Sequence, residues 1–341
     1  MNTKKLLEWY KQHKRNLPFR NTNDPYKIWI SEIIFQQTRI EQGLPYYYKF
    51  IKKFPDIFSL AQAPEDKVLK LWQGLGYYSR ARNMHHTAQT IVNNYDGKFP
   101  QTKKELQLLK GIGDYTAAAI ASLAFGEPVG AVDGNVSRFL TRFFGLDVPI
   151  DSYQGKKQLT MLANRFIDKK QPGISNQAMI ELGALVCKPK NPDCQNCPLQ
   201  NKCTAYATGT IENLPLKKNK TIVKTRFLNY FLVRYKDEII IEKRTQKGIW
   251  QNLYQLPLIE THKEIHKATN IFYKKLNEKY QIEINELIFI EKNIHQLTHQ
   301  KLIINFWLIR TSTRNNKFIH LNKLKNKAFP IIISKFLDNN L

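Results

Sequence analysis

Cysteine is scarce in this 341-residue chain: there are four, and all lie between positions 187 and 203. So few thiols in one short stretch exclude a secreted disulfide scaffold and point to a single metal site. Long hydrophobic runs are missing as well. No segment approaches the roughly 18 consecutive apolar residues of a membrane helix, and the opening MNTKKLLEWYKQHKRNLPFR holds no uninterrupted apolar stretch of the signal-peptide kind, so a soluble intracellular protein is expected. Acids are in short supply, 28 against 53 lysines and arginines, which leaves a net charge of +25. A polyanion is therefore the expected partner, DNA or RNA ahead of an anionic membrane surface. Repeats and low-complexity tracts are absent too. The basic residues are mixed with Trp, Tyr and Phe in a chain that is 42% hydrophobic, which excludes a disordered basic tail.

The length suits two domains. To about residue 208 apolar residues recur at helical spacing between caps and turns, as at Asn23-Asp24-Pro25, where a capping side chain and a first-turn proline predict a helix from Tyr26 to Phe35. Residues 209–225 are lysine-rich, lack periodicity and read as a connector. From 226 to 341 the texture is β-branched and aromatic. Strands are expected at Phe227 to Tyr235, Glu238 to Ile241 and Leu302 to Ile309, with Lys236-Asp237 as a hairpin turn and one helix over about 263–280. The fold class is multidomain, an all-α domain followed by an α+β domain.

Cys187, Cys194, Cys197 and Cys203 are spaced C-x6-C-x2-C-x5-C. Four thiolates can hold a zinc ion or a [4Fe–4S] cluster; only the middle pair has the C-x2-C spacing whose repetition would favour zinc. Leu109-Lys110-Gly111-Ile112-Gly113 is a tight turn leading into an Ala-rich helix. Glycines admit close approach of a phosphate, and a helix N-terminus supplies free amides and a positive dipole end. Flanked by helices, it looks like a helix-hairpin-helix motif over about 105–125, which would grip one DNA strand without reading bases.

Two carboxylates stand out. Asp133, in Ala131-Val132-Asp133-Gly134-Asn135-Val136, precedes a helix and reads first as an N-cap; helix-terminal amides favour its charged form, so it is expected to stay ionised beside a cationic intermediate. A mid-helix glutamate commonly lies on a solvated face, yet Glu32 sits among Ile28, Trp29, Ile33 and Phe35. An apolar setting raises a carboxyl pKa and makes a proton donor near neutrality. An acid and a charged stabiliser are the pair that cleaves glycosidic bonds.

Taken together, W-I-S-E-I-I-F-Q-Q-T-R-I from Trp29, W-Q-G-L-G-Y-Y-S-R-A-R-N from Trp72, the L-x-G-x-G turn, V-D-G-N-V and the cysteine loop resemble the MutY family of adenine DNA glycosylases, in the endonuclease III superfamily, over nearly the whole chain. The resemblance implies hydrolysis of the N-glycosidic bond of adenine mispaired with 8-oxoguanine or guanine in double-stranded DNA, as the start of base excision repair, by a monomer carrying a [4Fe–4S] cluster. Glu32 would protonate adenine N7 and Asp133 would stabilise the sugar cation by way of a covalent sugar intermediate, supported by Tyr115 and Asn135. Tyr115 stands where strand-cutting members of the superfamily carry a Schiff-base lysine, which implies base removal alone. Arg15, Arg20, Phe35 and Gln177 match the adenine pocket, with Phe19 in place of the usual tryptophan. Gln37, Thr38, Leu75 and Tyr77 would surround the 8-oxoguanine, and Gly111 and Gly113 would hold the backbone.

The C-terminal half resembles the family's Nudix-like domain, most clearly in Lys247-Gly248-Ile249-Trp250-Gln251-Asn252-Leu253-Tyr254-Gln255-Leu256-Pro257. Glu264 to Leu276 offers lysines and apolar residues where a Nudix hydrolase has magnesium-binding glutamates, so nucleotide hydrolysis is not expected. The family's F-S-H lesion loop matches Leu297-Thr298-His299, where Thr298 keeps the hydroxyl and His299 the imidazole. Competing readings are a thymine-mismatch or endonuclease III-like glycosylase, and a DNA-binding protein whose site has decayed. A bacterial cytoplasm, in association with the nucleoid, is the expected location.

Overall fold

The computed structural model describes residues 2–218 and 222–341. Residues 219–221 of the expected connector lie outside the described residues. By contacts the chain forms two units, Met1–Gln62 with Asn83–Lys220, and Ala63–Arg82 with Thr221–Leu341.

The first unit is helical. The helix Pro25–Ile34 starts where its cap predicts, with Asp24 accepting from the Tyr26 amide at 2.9 Å and Pro25 in the first turn. Its buried face holds Ile28, Trp29, Ile33 and Ile34. The short helix Lys103–Leu106 and the helix Asp114–Ala124 flank the glycine turn. Leu6 and Trp9 of Asn2–His13, Phe139 and Phe143 of Gly134–Phe144, and Met179 and Leu182 of Pro172–Leu185 share one core, against which Cys187, Cys197 and Cys203 pack. No helix among the described residues is long and apolar enough to cross a membrane.

The second unit is built on a mixed sheet. The strand Lys224–Tyr235 runs parallel to Gln300–Arg310 and antiparallel to Glu238–Ile240 and Leu258–Thr261. Alternation along the strands assigns one aromatic to each face. Phe306 stacks on Phe336 of the helix Ile331–Asn340 at 4.0 Å, while its neighbour Trp307 meets Phe272 of the helix Asn270–Tyr280 at 5.5 Å. Helices thus cover both faces.

Several elements differ from the sequence expectation, among them the short strands Leu258–Thr261 and Phe318–His320. The helix expected over about 263–280 begins only at Asn270, because the residues before it are held by the sheet: the Ile265 carbonyl accepts from Asn305 at 2.7 Å and Glu264 pairs with Lys292 at 2.5 Å. The strand Glu286–Gln296 has no clear sequence signal, because a bulge between Phe289 and Glu291 breaks its period of two and none of its residues is fully buried. The helix Ile331–Asn340 was not anticipated either.

Candidate active site

A cavity of about 730 Å³ in the first unit is lined by Glu32, Tyr115, Asp133 and Asn135 together with Arg15, Arg20, Phe35 and Gln177. These residues come from five stretches of chain. Glu32 sits in the last turn of Pro25–Ile34, whose far end is tied across by Gln36 Nε2 donating to Thr116 Oγ1 at 3.0 Å. Tyr115 opens Asp114–Ala124 and donates its hydroxyl to Glu32. Burial, reinforced by the charge of Asp133, pushes the Glu32 carboxyl up to about 7, against the opposing pull of the Tyr115 hydrogen bond and Arg20. Burial and both carboxylates drive the Tyr115 phenol well above its ordinary range, so it remains a donor.

Asp133 is the N-cap of Gly134–Phe144, its Oδ1 accepting from the Val136 amide at 2.7 Å and its Oδ2 from Asn135 Nδ2 at 2.8 Å. The cap is as expected; the direction of its proton affinity is not. Burial is the largest influence and raises the Asp133 carboxyl above its ordinary value, with the Val136 and Asn135 hydrogen bonds and the Arg138 charge pulling it back. The amides alone were expected to decide the matter, but a short carboxyl under a protein wall also loses hydration.

Arg15 and Arg20 converge on a residue that the sequence did not single out. Glu181, on the helix Pro172–Leu185, has no exposed side-chain surface. It accepts from Arg15 Nε at 2.9 Å, Arg15 Nη2 at 2.7 Å, the Arg15 amide at 2.8 Å and Arg20 Nη2 at 2.6 Å. Burial would raise its carboxyl, but the hydrogen bonds from Arg15 and Arg20 outweigh it and bring it down to about 2. The signal available was spacing: position 181 is one helical turn beyond Gln177, on the same face. Gln177 Oε1 accepts from Tyr10 at 2.7 Å. Phe19 packs against Phe35 with ring centres 4.6 Å apart, so it supplies a flat apolar ring.

In the glycine turn, Gly111 has φ +82, and a Cβ there would lie 2.7 Å from Asn83 Cβ. Gly113 caps Asp114–Ala124 and faces open space, as a backbone receiving a phosphate requires. Gln37 (φ 57) and Thr38 line the cavity at the end of Pro25–Ile34. In the second unit Leu75 is buried at 6% exposure, whereas Tyr77 is 49% exposed with φ 46. The Tyr77 hydroxyl lies 2.5 Å from Thr298 Oγ1. Thr298 and His299 are exposed in the turn joining Glu286–Gln296 to Gln300–Arg310.

The four cysteines are free thiols lining one small pocket beside Arg142. Arg142 donates to the Lys188 carbonyl at 2.7 Å and to the Leu214 carbonyl at 3.1 Å, tying the start of the cysteine loop to the segment that follows it. Among the described residues, no three side chains of metal-ligand type converge on a single ion position.

A model of the HhH-GPD superfamily of base excision DNA repair proteins matches residues 30–165, and a NUDIX domain model matches residues 229–339. The chain is 35% identical over 346 residues to an adenine DNA glycosylase of Buchnera aphidicola subsp. Baizongia pistaciae, covering 97% of this chain and 94% of that protein. Against the adenine DNA glycosylase of Homo sapiens it is 43% identical over 209 residues, 59% of this chain and 38% of the human protein. A solved thermostable thymine-DNA glycosylase superposes with a TM-score of 0.56 at 28% identity, over 61% of this chain and 95% of that one.

Proposed function

The chain belongs to the adenine DNA glycosylase family, and on that premise we propose that it removes adenine mispaired with 8-oxoguanine or guanine in duplex DNA. It is a base excision DNA glycosylase with a helical HhH-GPD domain and a Nudix-like domain. The observation that carries the finer reading is the unequal treatment of two carboxyls in one cavity. Asp133 is held at both oxygens, while Glu32 is pushed up to about 7 with Tyr115 donating to it.

An adenine flipped into the cavity would meet Glu32 as the acid. Protonation at N7 draws the C1′–N9 electron pair onto the base as that bond breaks. Asp133 faces the electron-poor sugar and captures it as a transient ester at C1′. Water then opens the ester, giving its proton to the Glu32 carboxylate and its hydroxyl to C1′, which restores both groups. Asn135 fixes Asp133, and Arg15, Arg20, Phe35 and Gln177 would hold the base. Strand cutting through an imine needs a primary amine, and the described lining of the cavity contains no lysine.

Gly111, Gly113 and the start of Asp114–Ala124 would clamp the backbone. Gln37 and Thr38 would meet DNA from the first unit, and Tyr77, Thr298 and His299, with Leu75 behind them, would meet the lesion strand from the second. Cys187, Cys194, Cys197 and Cys203, a four-thiol set without carboxylate or imidazole, would hold a [4Fe–4S] cluster that would brace the loop 187–203. A monomer in the bacterial cytoplasm, acting on nucleoid DNA, completes the reading; two relatives matched over 97% and 98% of this chain are from Buchnera aphidicola.

The test is single-turnover incubation with duplexes containing A:8-oxoguanine, A:G and T:G pairs. Free adenine and a strand that breaks only on adding alkali are expected. Thymine release, direct strand cleavage, or binding without release would overturn the proposal.

A further inference from the structure

We propose that Glu181 is a positioning residue that fixes Arg15 and Arg20 in one geometry at the base pocket and, by cancelling guanidinium charge, keeps Glu32 able to hold its proton. The carboxylate is wholly buried and receives four donors, three from Arg15 and one from Arg20. Arg20 in turn lies within electrostatic reach of both Glu32 and Tyr115. The Arg20 charge favours the Glu32 carboxylate; one carboxylate shared by Arg15 and Arg20 leaves the trio at a net single positive charge and weakens that pull. The planar forks accept this arrangement because each can face a carboxylate edge without bending its stem.

The charged and titratable groups around Glu32 come from every wall of the cavity. Arg15 and Arg20 follow the first helix, Arg39 follows Pro25–Ile34, Asp114 and Tyr115 open the helix after the glycine turn, and Asp133 caps its own helix; Glu181 bonds both arginines without itself lining the cavity, and Glu41 and Tyr10 are further neighbours of Arg15 and Arg20 respectively. Glu181→Gln removes the charge that both arginines bond and leaves the remaining set, Glu41 beside Arg15 included, intact. The sign follows: added positive charge favours the Glu32 carboxylate, so the proton is lost at lower pH.

The inference rests on Glu32 being the acid, and the experiment separates the two ideas. Single-turnover adenine release is followed from pH 5 to 9 in the full-length protein, with mismatch binding measured in parallel. A wild-type rate that does not fall on the alkaline side would remove Glu32 as acid, and this inference with it. Given that fall, Glu181→Gln should move it down by about half a pH unit or more, Arg15→Gln should move it up, and Glu181→Asp should lower the rate with the midpoint kept. Should Glu181→Gln fail to fold, Arg15→Gln and Glu181→Asp still decide the matter. Equal rate losses in all variants with an unmoved midpoint would assign Glu181 to packing alone.

Discussion

Asn135 Nδ2 donates to Asp133 Oδ2 at 2.8 Å while the Val136 amide takes Oδ1 at 2.7 Å, so the shorter carboxylate of the site is gripped at both ends. Hydrogen bonds of this kind stabilise charge where charge must persist. Glu32 is left to burial and a phenol, which suits a group that must give its proton away.

Glu32→Gln should keep the fold and the affinity for the mismatch but lose about 10²-fold or more in single-turnover rate, the usual worth of a placed general acid. A rate within tenfold of wild type would rule out that role.

The proton affinity of Glu32 also links pH to stability. Its carboxyl moves from an ordinary 4.5 to about 7 on folding, so the native state holds the proton more tightly and stability falls as pH rises through that window. Glu32→Gln should therefore stabilise the fold more at pH 8 than at pH 5, by a difference on the order of 1–3 kcal/mol in the free energy of unfolding from denaturant melts. Identical shifts at both pH values would contradict this.

Asp133→Asn and Asp133→Ala separate capping from chemistry. Asparagine caps as well as aspartate, so the first should be nearly neutral for stability, and the second should cost about 1 kcal/mol. Both should lose about 10²-fold or more in rate. Denaturant melts and burst kinetics on the same preparations give the comparison.

Gly183→Ala tests a close approach. A Cβ there would lie 2.7 Å from the Asn135 carbonyl oxygen and 2.8 Å from its carbonyl carbon, which are backbone and cannot step aside as a side chain would. The expected outcome is a loss of about 1–3 kcal/mol together with slower base release, as the Asp133 turn is pushed outward. An unchanged rate with full stability would show that the turn yields freely.

Cys197→Ser should yield protein low in iron and sulfide that melts early and binds DNA weakly. Zinc in place of iron and sulfide in the wild-type protein would reject the cluster.

The four catalytic candidates were legible because short-range signals frame them: Asp24-Pro25 sets the start of one helix, and Asp133 caps another. Glu181 was not, since an acid inside M-I-E-L-G-A-L reads as an interruption of a core helix, and what makes its burial tolerable is Arg15, 166 residues upstream. The raised affinity of Asp133 was hidden likewise, because a sequence shows the cap but not the wall above it. The strands at 224–235 and 300–310 showed as apolar runs, whereas Glu286–Gln296 is interrupted by a bulge.

Residues 63–82 carry a consequence for the order in which this protein can be made. They leave the ribosome well before the residues they pack with: Gln73 bonds to Ser334 at 2.8 Å, Lys70 to the Lys327 carbonyl at 2.9 Å, and Asp66 to Tyr254 at 2.9 Å. The parallel pairing of 224–234 with 300–310 likewise waits until residue 310 has been made. A fragment ending near residue 218 would thus strand a segment containing Leu69, Trp72 and Tyr78, all buried in the whole protein, with its partners missing. Such a fragment is expected to need chaperones or to aggregate, even though every catalytic candidate lies within it.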